Sequence, residues 1–398
     1  MKKRSGTPRR KRPRRRPLHR LSHCPHEKGR RSRPARDRVR NLTMSLPWRL
    51  FKNTSRLLST AEGLAVDDSL PLSVDGNHSP PILHLYRFVP SVIVGKYQDI
   101  EAALKLDRCR ARGIEYNRRS TGGGTVIMGP DVMALGLGIN VDYPGLKKGV
   151  GGIFESLSSV LVRALRELGI DARFQPKNDL EVKGRKIAGL SAASEAGKAL
   201  LFHTSLLVDF DVGLMTDIMN TPLIKIRDKG YSCFSQRMTT VREELGRPVN
   251  VRQVMTAVEE AFQREFRVRF VEDAPDPWEE ATIRRLMEER YHSRDWIFSH
   301  RHPRARMGVG RLKTRAGLLE IYLSLSGASI ENVVITGDFF STTADLHRIE
   351  NALKWTSARE ESIEKNIASV WRNDMIYGLD APTLTRAILK AKENQVRL

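Results

Sequence analysis

Near residue 46 the chain changes from polar and proline-rich to regularly patterned, and from there its apolar positions predict alternating strands and helices. Three β-rich runs, "WRLF", "PILHLYRF" and "SVIVGKY", are separated by turn-forming residues. One or two helical turns are predicted over residues 61–72, and a longer helix over residues 100–112. The strongest helical pattern covers residues 150–168, and a further helix begins at Asn250, a good N-cap residue.

Residues 178–194, "NDLEVKGRKIAGLSAAS", have the pattern of a β-hairpin with a tight turn at Lys183-Gly184. Strict alternation along its second strand places Lys186 and Ala188 on the same face. The run "ALLFHTSLLVDF" then returns as another strand. These elements indicate a domain that mixes strands and helices.

A linker-like cluster near residue 273, "EDAPDPWEE", divides the patterned part of the chain in two. The larger unit mixes strands and helices, and the smaller unit has three strands followed by two or three helices. We therefore predict an α+β fold with a basic arm over residues 1–43, a main domain over 44–272 and an accessory domain over 273–398.

The net charge of +22 is concentrated in the first 40 residues, which hold 18 Lys and Arg against only Glu27 and Asp37. The rest of the chain is mildly basic, at +6. A segment this rich in arginine and proline cannot offset its ordering entropy and is expected to be disordered. Three interpretations of this arm remain open. It binds nucleic acid, or it is a targeting segment, which its prolines oppose, or translation starts internally at Met44 and the arm is absent from the protein.

The rest of the composition fits a soluble cytoplasmic protein without a membrane partner. No apolar run approaches the roughly 18–20 residues that span a bilayer, and the N-terminus has no apolar signal region. Three cysteines, Cys24, Cys109 and Cys233, lie far apart without a CxxC pair. This argues against a disulfide framework or a zinc site and favours a reducing compartment.

The stretch "RRSTGGGTV", residues 118–126, places three glycines between two predicted strands. It matches neither a Walker loop nor a dinucleotide fingerprint, since both lead from a strand into a helix. Bare backbone here allows a flat or anionic ligand to approach its N–H groups, while Arg118 and Arg119 add positive charge. The alternative is a β-bulge or tight turn with arginines that merely face solvent.

Lys186 stands in mid-strand among small residues, where packing gives it no role. We interpret it as a cation fixed in a cleft that holds a carboxylate and a phosphate together. An edge-strand lysine that opposes aggregation is the alternative. Asn178 and Asp179 begin the hairpin and are candidates for an adenine, ribose or Mg²⁺-linked contact.

His203 and Cys233 are weaker candidates for chemistry. A histidine alone on a strand is more often a core or rim group than a catalytic residue. A nucleophilic cysteine needs a base or a positive charge nearby, and Arg237 is the one local group that supplies it for Cys233. Cys109 lies in the middle of a predicted helix and is interpreted as a packing residue.

The order and spacing of these motifs resemble the lipoate-protein ligase A family of the biotin/lipoate ligase and acyltransferase superfamily. The matching stretches, over about residues 46–270, are "GLAVDDSL", "VIVGKYQ", "RRSTGGGTV", "NDLEVKGRKIAGLSAAS" and "FHTSLLVD". About residues 295–360 resemble the small accessory domain that full-length lipoate ligases carry. The resemblance implies a monomer whose main domain has the mixed sheet of the biotin/lipoate ligase type.

The resemblance also implies a two-step reaction. Lipoate, or octanoate, and Mg-ATP would form an acyl-adenylate, and the acyl group would pass to a lysine of a lipoyl carrier domain of a 2-oxoacid dehydrogenase or of the glycine cleavage carrier protein. The family's essential lysine falls on Lys186. Its adenylate-binding loop falls on Arg119, Gly122, Gly123, Gly124, Thr125, Val126 and Ile127. We add Asn178 and Asp179 to the adenylate site, His203 and Lys186 to the lipoate site, and Asp179 as a Mg²⁺ contact.

Two departures from the family concern acyl-chain preference. Related ligases often have a His-Asp pair where this chain has Met128-Gly129, and many have two histidines and a glycine where it has Phe202-His203-Thr204.

Three other functions remain as alternatives. The chief rival is an octanoyl or lipoyl transferase that works through a cysteine thioester, for which Cys233 would have to serve, since "RFQPKNDL" contains no cysteine. A biotin ligase fits less well, because its signature loop differs and no DNA-binding domain is recognisable. A nucleic-acid binder centred on the arm would leave Lys186 and the glycine triplet without a purpose.

Overall fold

A mixed sheet of eight strands forms the centre of the larger part of the fold. The computed structural model describes residues 47–175, 178–194, 197–211, 214, 217–220, 237–299 and 307–394. In order across the sheet, the strands are β11 (Phe270–Asp273), β1 (Trp48–Lys52), β2 (Ile82–Tyr86), β6 (Val132–Asn140), β10 (Ala199–Leu207), β9 (Arg185–Ala193), β8 (Asp179–Val182) and β7 (Arg173–Gln175). The pairs β11–β1 and β1–β2 are parallel, and the other neighbours are antiparallel.

Two smaller sheets complete the β-structure of the described residues. The first has the order β4 (Glu115–Arg118), β3 (Ser91–Val94) and β5 (Val126–Met128). The second, near the C-terminus, is an antiparallel meander of β12 (Gly308–Lys313), β13 (Leu318–Ser326) and β14 (Ser329–Gly337). The triplet loop, residues 119–125, connects β4 to β5.

The helices connect these sheets and cover their faces. In the described ranges they are α1 (Thr60–Gly76), α2 (Ile100–Ala103), α3 (Leu106–Ala111), α4 (Gly149–Glu167), α5 (Val241–Leu245), α6 (Val251–Phe266), α7 (Pro277–Leu286) with a π-helical turn at Met287–Tyr291, α8 (Arg294–Ile297), α9 (Thr343–Leu353), α10 (Glu360–Val370) and α11 (Ala381–Glu393). Within those ranges, no helix combines the length and apolarity needed to cross a membrane.

The pleat of the large sheet separates two cores. On β6, Met133, Leu135 and Leu137 face the core that contains α4 and α6, whereas Ala134 faces the core that contains α1. One face of the sheet is therefore covered by α1 and the other by α4 and α6, in three layers. A third core joins the C-terminal meander to α9, α10 and α11.

The expected α+β class with a mixed sheet is confirmed. The boundaries predicted after residues 43 and 272 stay predictions, because the described residues on both sides of 272 belong to one compact unit and residues 1–43 lie outside the described ranges.

Two helix predictions need correction. The helix predicted as one or two turns is α1, of 17 residues, which continues past Pro71. Its polar side chains are buried along with its apolar ones, so that no one-sided apolar pattern signals its length. The helix predicted over residues 100–112 is interrupted, because the backbone of Lys105 bonds to Ile218 and makes the chain extended there.

Candidate active site

The main cavity has a volume of about 590 Å³ and contains most of the predicted adenylate residues in its wall. A narrow slot of about 80 Å³ shares part of that wall. The predicted residues that line the main cavity are Gly124, Thr125, Val126, Ile127, Asn178, Asp179 and Lys186. Those that line the slot are Arg119, Gly124, Thr125, Val126, Asn178, Lys186 and His203. Lys186 lines both, so it stands where the two spaces meet.

The setting of Lys186 excludes the edge-strand alternative and corrects its predicted orientation, while the interpretation as a cation in a cleft stays a prediction. Its strand β9 lies between β8 and β10, which excludes an edge-strand lysine. A β-bulge opposite Glu181 inserts one extra residue and shifts the alternation, so the prediction that Lys186 and Ala188 share a face is wrong. Instead Lys186 Nζ lies 2.9 Å from the position that a Cβ at Gly189 would occupy.

The Lys186 ammonium is paired with a carboxylate that the sequence had already singled out. Its Nζ lies 2.7 Å from Asp179 Oδ1 at the start of β8. Both side chains are about one-third exposed, so they face the cavity. Asn178 beside them donates from Nδ2 to the Leu190 carbonyl at 2.9 Å, which fixes its amide in the same wall.

The two arginines before the triplet have different roles. Arg118 is fully buried and donates to five backbone carbonyls in the segments 95–98 and 296–297. Burial lowers its pKa to about 10, although Asp99 opposes the change. Arg118 therefore ties chain segments together, and the expectation that both arginines offer charge to a ligand is wrong for this one.

Arg119 is the arginine that lines the slot. It donates from Nε to Thr121 Oγ1 at 3.1 Å, from Nη2 to the Gly122 carbonyl at 2.7 Å and from Nη1 to the Ile93 carbonyl at 3.4 Å. Burial, with a contribution from Arg118, lowers its pKa to about 10, so it remains a cation at neutral pH. These acceptors are all neutral, and a buried cation is stabilised by an anion. The slot therefore fits a ligand that brings a carboxylate or phosphate to Arg119.

A buried hydrogen-bond network connects Arg119 to helix α1. Thr121 Oγ1, which accepts from Arg119, lies 2.6 Å from His203 Nε2. His203 Nδ1 lies 3.4 Å from Asp67 Oδ2. Because a carboxylate only accepts hydrogen bonds, His203 donates to it from Nδ1. Its Nε2 is then free to accept from the Thr121 hydroxyl. Ser191 extends the network, since its hydroxyl lies 2.8 Å from Thr121 Oγ1 and 3.0 Å from the Gly122 carbonyl and can donate to either one.

Helix α1 supplies two adjacent buried carboxylates, Asp67 and Asp68, to which the sequence pattern had assigned no role. Asp67 also accepts from His84 at 3.0 Å and from the Tyr86 hydroxyl at 2.9 Å. Burial and the Asp67 charge raise the pKa of Tyr86 well above its ordinary value, so that this phenol stays a donor. Asp68 accepts from Ser120 at 2.5 Å and from Arg290 at 2.6 Å. The available signal was a pair of acidic residues inside an otherwise apolar run, "GLAVDDSL".

The C-terminal clasp, residues 337–341, covers Gly122 and Gly123. Gly123 N–H donates to the Phe339 carbonyl at 3.0 Å, and a Cβ at Gly122 would lie only 2.3 Å from that same oxygen. The clasp is also held by Tyr97, whose carbonyl accepts from Gly337 N–H at 2.9 Å and whose hydroxyl donates to the Ser341 carbonyl at 2.7 Å. Bare backbone in the triplet therefore serves the close approach of the clasp, and Gly124 is the triplet glycine that lines both cavities.

The described part of the chain offers few residues that could bind a metal ion or act as a nucleophilic thiol. It contains no cluster of three or more His, Cys, Asp or Glu arranged to hold a metal ion. Cys109 is buried in α3, and burial raises the pKa of its thiol. Cys233 lies outside the described residues.

A lysine stands at the meeting point of a slot and a larger cavity, beside a glycine loop and a buried arginine, an arrangement suited to an anionic ligand. The family model of the lipoyl protein ligase A/B catalytic domain matches residues 59–263. The family model of the bacterial lipoate protein ligase C-terminus matches residues 310–388. The chain belongs to the lipoyl protein ligase A/B family, which confirms the resemblance noted in the sequence.

Curated relatives include both ligases and transferases. The octanoyltransferase LipM of Clostridioides difficile is 24% identical over 262 residues, which cover 61% of this chain and 95% of that protein. The lipoate-protein ligase LplJ of Bacillus subtilis is 26% identical over 313 residues, or 76% of this chain and 89% of LplJ. The protein is therefore an enzyme of the lipoate ligase and transferase family.

A solved structure shares the fold. The bipartite lipoate protein ligase of Thermoplasma acidophilum, described together with its E2 lipoyl domain, is 27% identical. It superposes with a TM-score of 0.56 and covers 66% of this chain and all of that one.

Proposed function

We propose that the protein is an ATP-dependent lipoate-protein ligase that forms an acyl-adenylate and passes the acyl group to a lysine of a lipoyl carrier domain. The observation that carries the proposal is the position of Lys186, which lines both the narrow slot and the main cavity. An acid in the slot and a nucleotide in the cavity would meet at this ammonium.

The slot suits an acyl chain with a charged end. Its apolar wall includes Leu64, Phe88, Ile93 and Met128, and its polar residues include Arg119 and His203. An apolar tail would lie against the first group while its carboxylate is drawn to Arg119 and Lys186. The same wall accepts lipoate or octanoate, since both have an apolar chain with one carboxylate.

The main cavity suits a nucleotide. Its volume of about 590 Å³ falls in the range of roughly 300–1,000 Å³ that is usual for small-molecule sites. The acyl carboxylate would attack the α-phosphorus, and the bond from that phosphorus to the bridging oxygen would break, with its electron pair leaving on pyrophosphate. Lys186 would reduce the repulsion between the two approaching anions.

Magnesium fits as a partner of the nucleotide. Mg²⁺ is usually bound by one or two carboxylates together with substrate phosphates rather than by a protein cage. Asp179 and Glu181 line the main cavity and offer carboxylates of that kind. The Mg²⁺ contact of Asp179 therefore competes with its ion pair to Lys186, and binding of Mg-ATP would separate the two side chains.

An octanoyl or lipoyl transferase is the second candidate, and the LipM relatives favour it. A thioester mechanism needs a cysteine at the cavity. Within the described residues no cysteine lines either space, so the mechanism would depend on Cys233.

The deciding experiment measures lipoate-dependent release of pyrophosphate from Mg-ATP by the full chain, without a carrier protein. We expect release by the wild type and a fall of about 10²–10³-fold in Lys186→Ala, the size of effect seen when one electrostatic stabiliser is removed. Lys183→Ala is the matched control, since this lysine lies in the same hairpin and is 83% exposed.

One result would contradict the role of Lys186, and another would contradict the ligase proposal itself. Normal pyrophosphate release by a folded Lys186→Ala variant would remove the assigned role of this lysine. Absence of release from the wild type, together with acyl transfer from an octanoylated carrier protein, would identify a transferase, and loss of that transfer in Cys233→Ala would assign its nucleophile.

A further inference from the structure

A hairpin of the C-terminal meander forms part of the wall of the main cavity. Arg311 and Lys313 are two positions apart on β12 and so lie on the same face of the strand. Arg315 follows in the turn that leads to β13, where Thr314 N–H donates to the Gly317 carbonyl. All three basic residues line the cavity that contains Lys186.

This hairpin is tied to the triplet loop through the clasp. Asp338 N–H donates to the Leu318 carbonyl of β13 at 3.0 Å, and the Leu318 N–H donates back to the Asp338 carboxylate. The next residue, Phe339, accepts the hydrogen bond from Gly123. Two backbone contacts therefore set the distance between the hairpin of β12 and β13 and the triplet loop, which would hold an adenylate.

The charges of the cavity are unevenly distributed. Five basic and five acidic side chains line it as a whole. Around the hairpin, three cations accompany two carboxylates, Glu320, which accepts from Arg311 Nε at 2.7 Å, and Asp338, which accepts from Leu318 N–H. The amine of Lys313 is buried in the wall. An anionic ligand in this part of the cavity would lie close to all three cations.

We propose that Arg311, Lys313 and Arg315 form a subsite for the pyrophosphate group of ATP, that is, its β- and γ-phosphates. The inference rests on the proposed ligase function. When the bond at the α-phosphorus breaks, the electron pair and the added negative charge go to the leaving pyrophosphate. Guanidinium and ammonium donors at that end stabilise the developing charge, and a guanidinium binds phosphate oxygens in pairs.

Binding of inorganic pyrophosphate, in the presence of Mg²⁺ and without lipoate, tests the subsite directly by isothermal titration calorimetry on the full chain. Loss of one charged donor is expected to weaken this binding by about tenfold to a hundredfold in Arg315→Ala and in Lys313→Ala. Arg315 is exposed in a turn, so its replacement leaves the fold intact even if Lys313→Ala does not. Lys354→Ala and Arg386→Ala, exposed positions of the same part of the chain that line no described cavity, are the controls.

Catalysis gives the second readout. In ATP–pyrophosphate exchange, the two variants should raise the KM for pyrophosphate while the KM for lipoate stays unchanged. Unchanged pyrophosphate affinity in both folded variants would overturn the subsite. So would a defect confined to the KM for the lipoyl carrier domain, because it would mean that the hairpin recognises an acidic protein surface.

The test of the pyrophosphate subsite can be separated from the test of the ligase proposal. A wild type without lipoate-dependent ATP cleavage refutes the ligase proposal, whatever the calorimetry shows. Tight pyrophosphate binding that is lost in Arg315→Ala but kept in Arg386→Ala supports the subsite independently of turnover.

Discussion

Replacement of Asp67 by asparagine tests the buried network beneath the triplet loop. The change preserves the size of the side chain but removes its charge. In the folded protein His84 Nδ1 lies 3.0 Å, the Tyr86 hydroxyl 2.9 Å and His203 Nδ1 3.4 Å from its oxygens. Hydrogen bonds to a charged group contribute about 1.5–3 kcal/mol each, but bonds in one network do not add. We expect the free energy of unfolding to fall by about 3–5 kcal/mol, as for other buried pairs that lose one partner.

The effect of this substitution should depend on pH in a defined direction. Burial by itself raises the pKa of Asp67, but hydrogen bonds from His203 and His84 outweigh it and hold the pKa below its ordinary value. A carboxyl of this kind stabilises the protein above its unfolded pKa and loses that contribution as the pH falls through the lower, folded pKa. The difference between wild type and Asp67→Asn should therefore be full at pH 7 and close as the pH falls below about 4.

Urea unfolding followed by circular dichroism, at pH 7 and at a series of lower pH values, measures both effects. Asp107→Asn is the control, because this carboxylate is 95% exposed and its ion pair with Arg110 should contribute little. An unfolding free energy in Asp67→Asn within about 0.5 kcal/mol of wild type at pH 7 would refute the reasoning, since changes that small are typical of surface sites. A difference that stays constant down to pH 3 would show that the Asp67 charge is not the source of the stabilisation.

Two further substitutions test the clasp and a buried ion pair. Gly122→Ala puts a Cβ about 2.3 Å from the Phe339 carbonyl oxygen, so we expect the clasp to open. Amide hydrogen exchange at Gly123 should then become faster, and unchanged exchange in the variant would contradict this contact. Glu279→Gln weakens a bidentate pair with Arg49, at 2.6 and 2.9 Å, in which the Glu279 side chain is fully buried. The unfolding free energy should fall by about 3 kcal/mol in urea titrations, and a loss no greater than that of Asp107→Asn would show that the pair adds nothing.

Several elements could be predicted because their signals are local. Helix α6 begins at Asn250 with a complete capping box, in which Asn250 and Gln253 satisfy each other's backbone. The hairpin turn at Lys183-Gly184 has positive φ at both residues, 50° and 78°, as a tight two-residue turn requires. Short-range backbone chemistry determines both features, so neighbouring residues were sufficient to predict them.

The sequence singled out several residues that line the two cavities, but not how they are arranged. The order of the motifs identified the family and pointed to Lys186, Asn178, Asp179 and the triplet loop. The assignments of Thr125, Val126 and Ile127 as adenylate contacts, and of His203 as a lipoate contact, stay predictions, although all four line one cavity or both.

The amino-acid sequence by itself determined the local elements and the types of side chain available for chemistry. Only the tertiary structure decided that Arg118 donates its hydrogen bonds to backbone carbonyls, whereas Arg119 lines the slot. It also decided that a bulge turns Lys186 toward Gly189. It likewise decided that Asp67 supports His203 and that Arg311 joins the same cavity as Lys186. The physical reason is that burial, strand register and electrostatic environment depend on tertiary partners, some of them far away in the chain, such as Asp67 for His203, and these partners leave no mark on the local pattern.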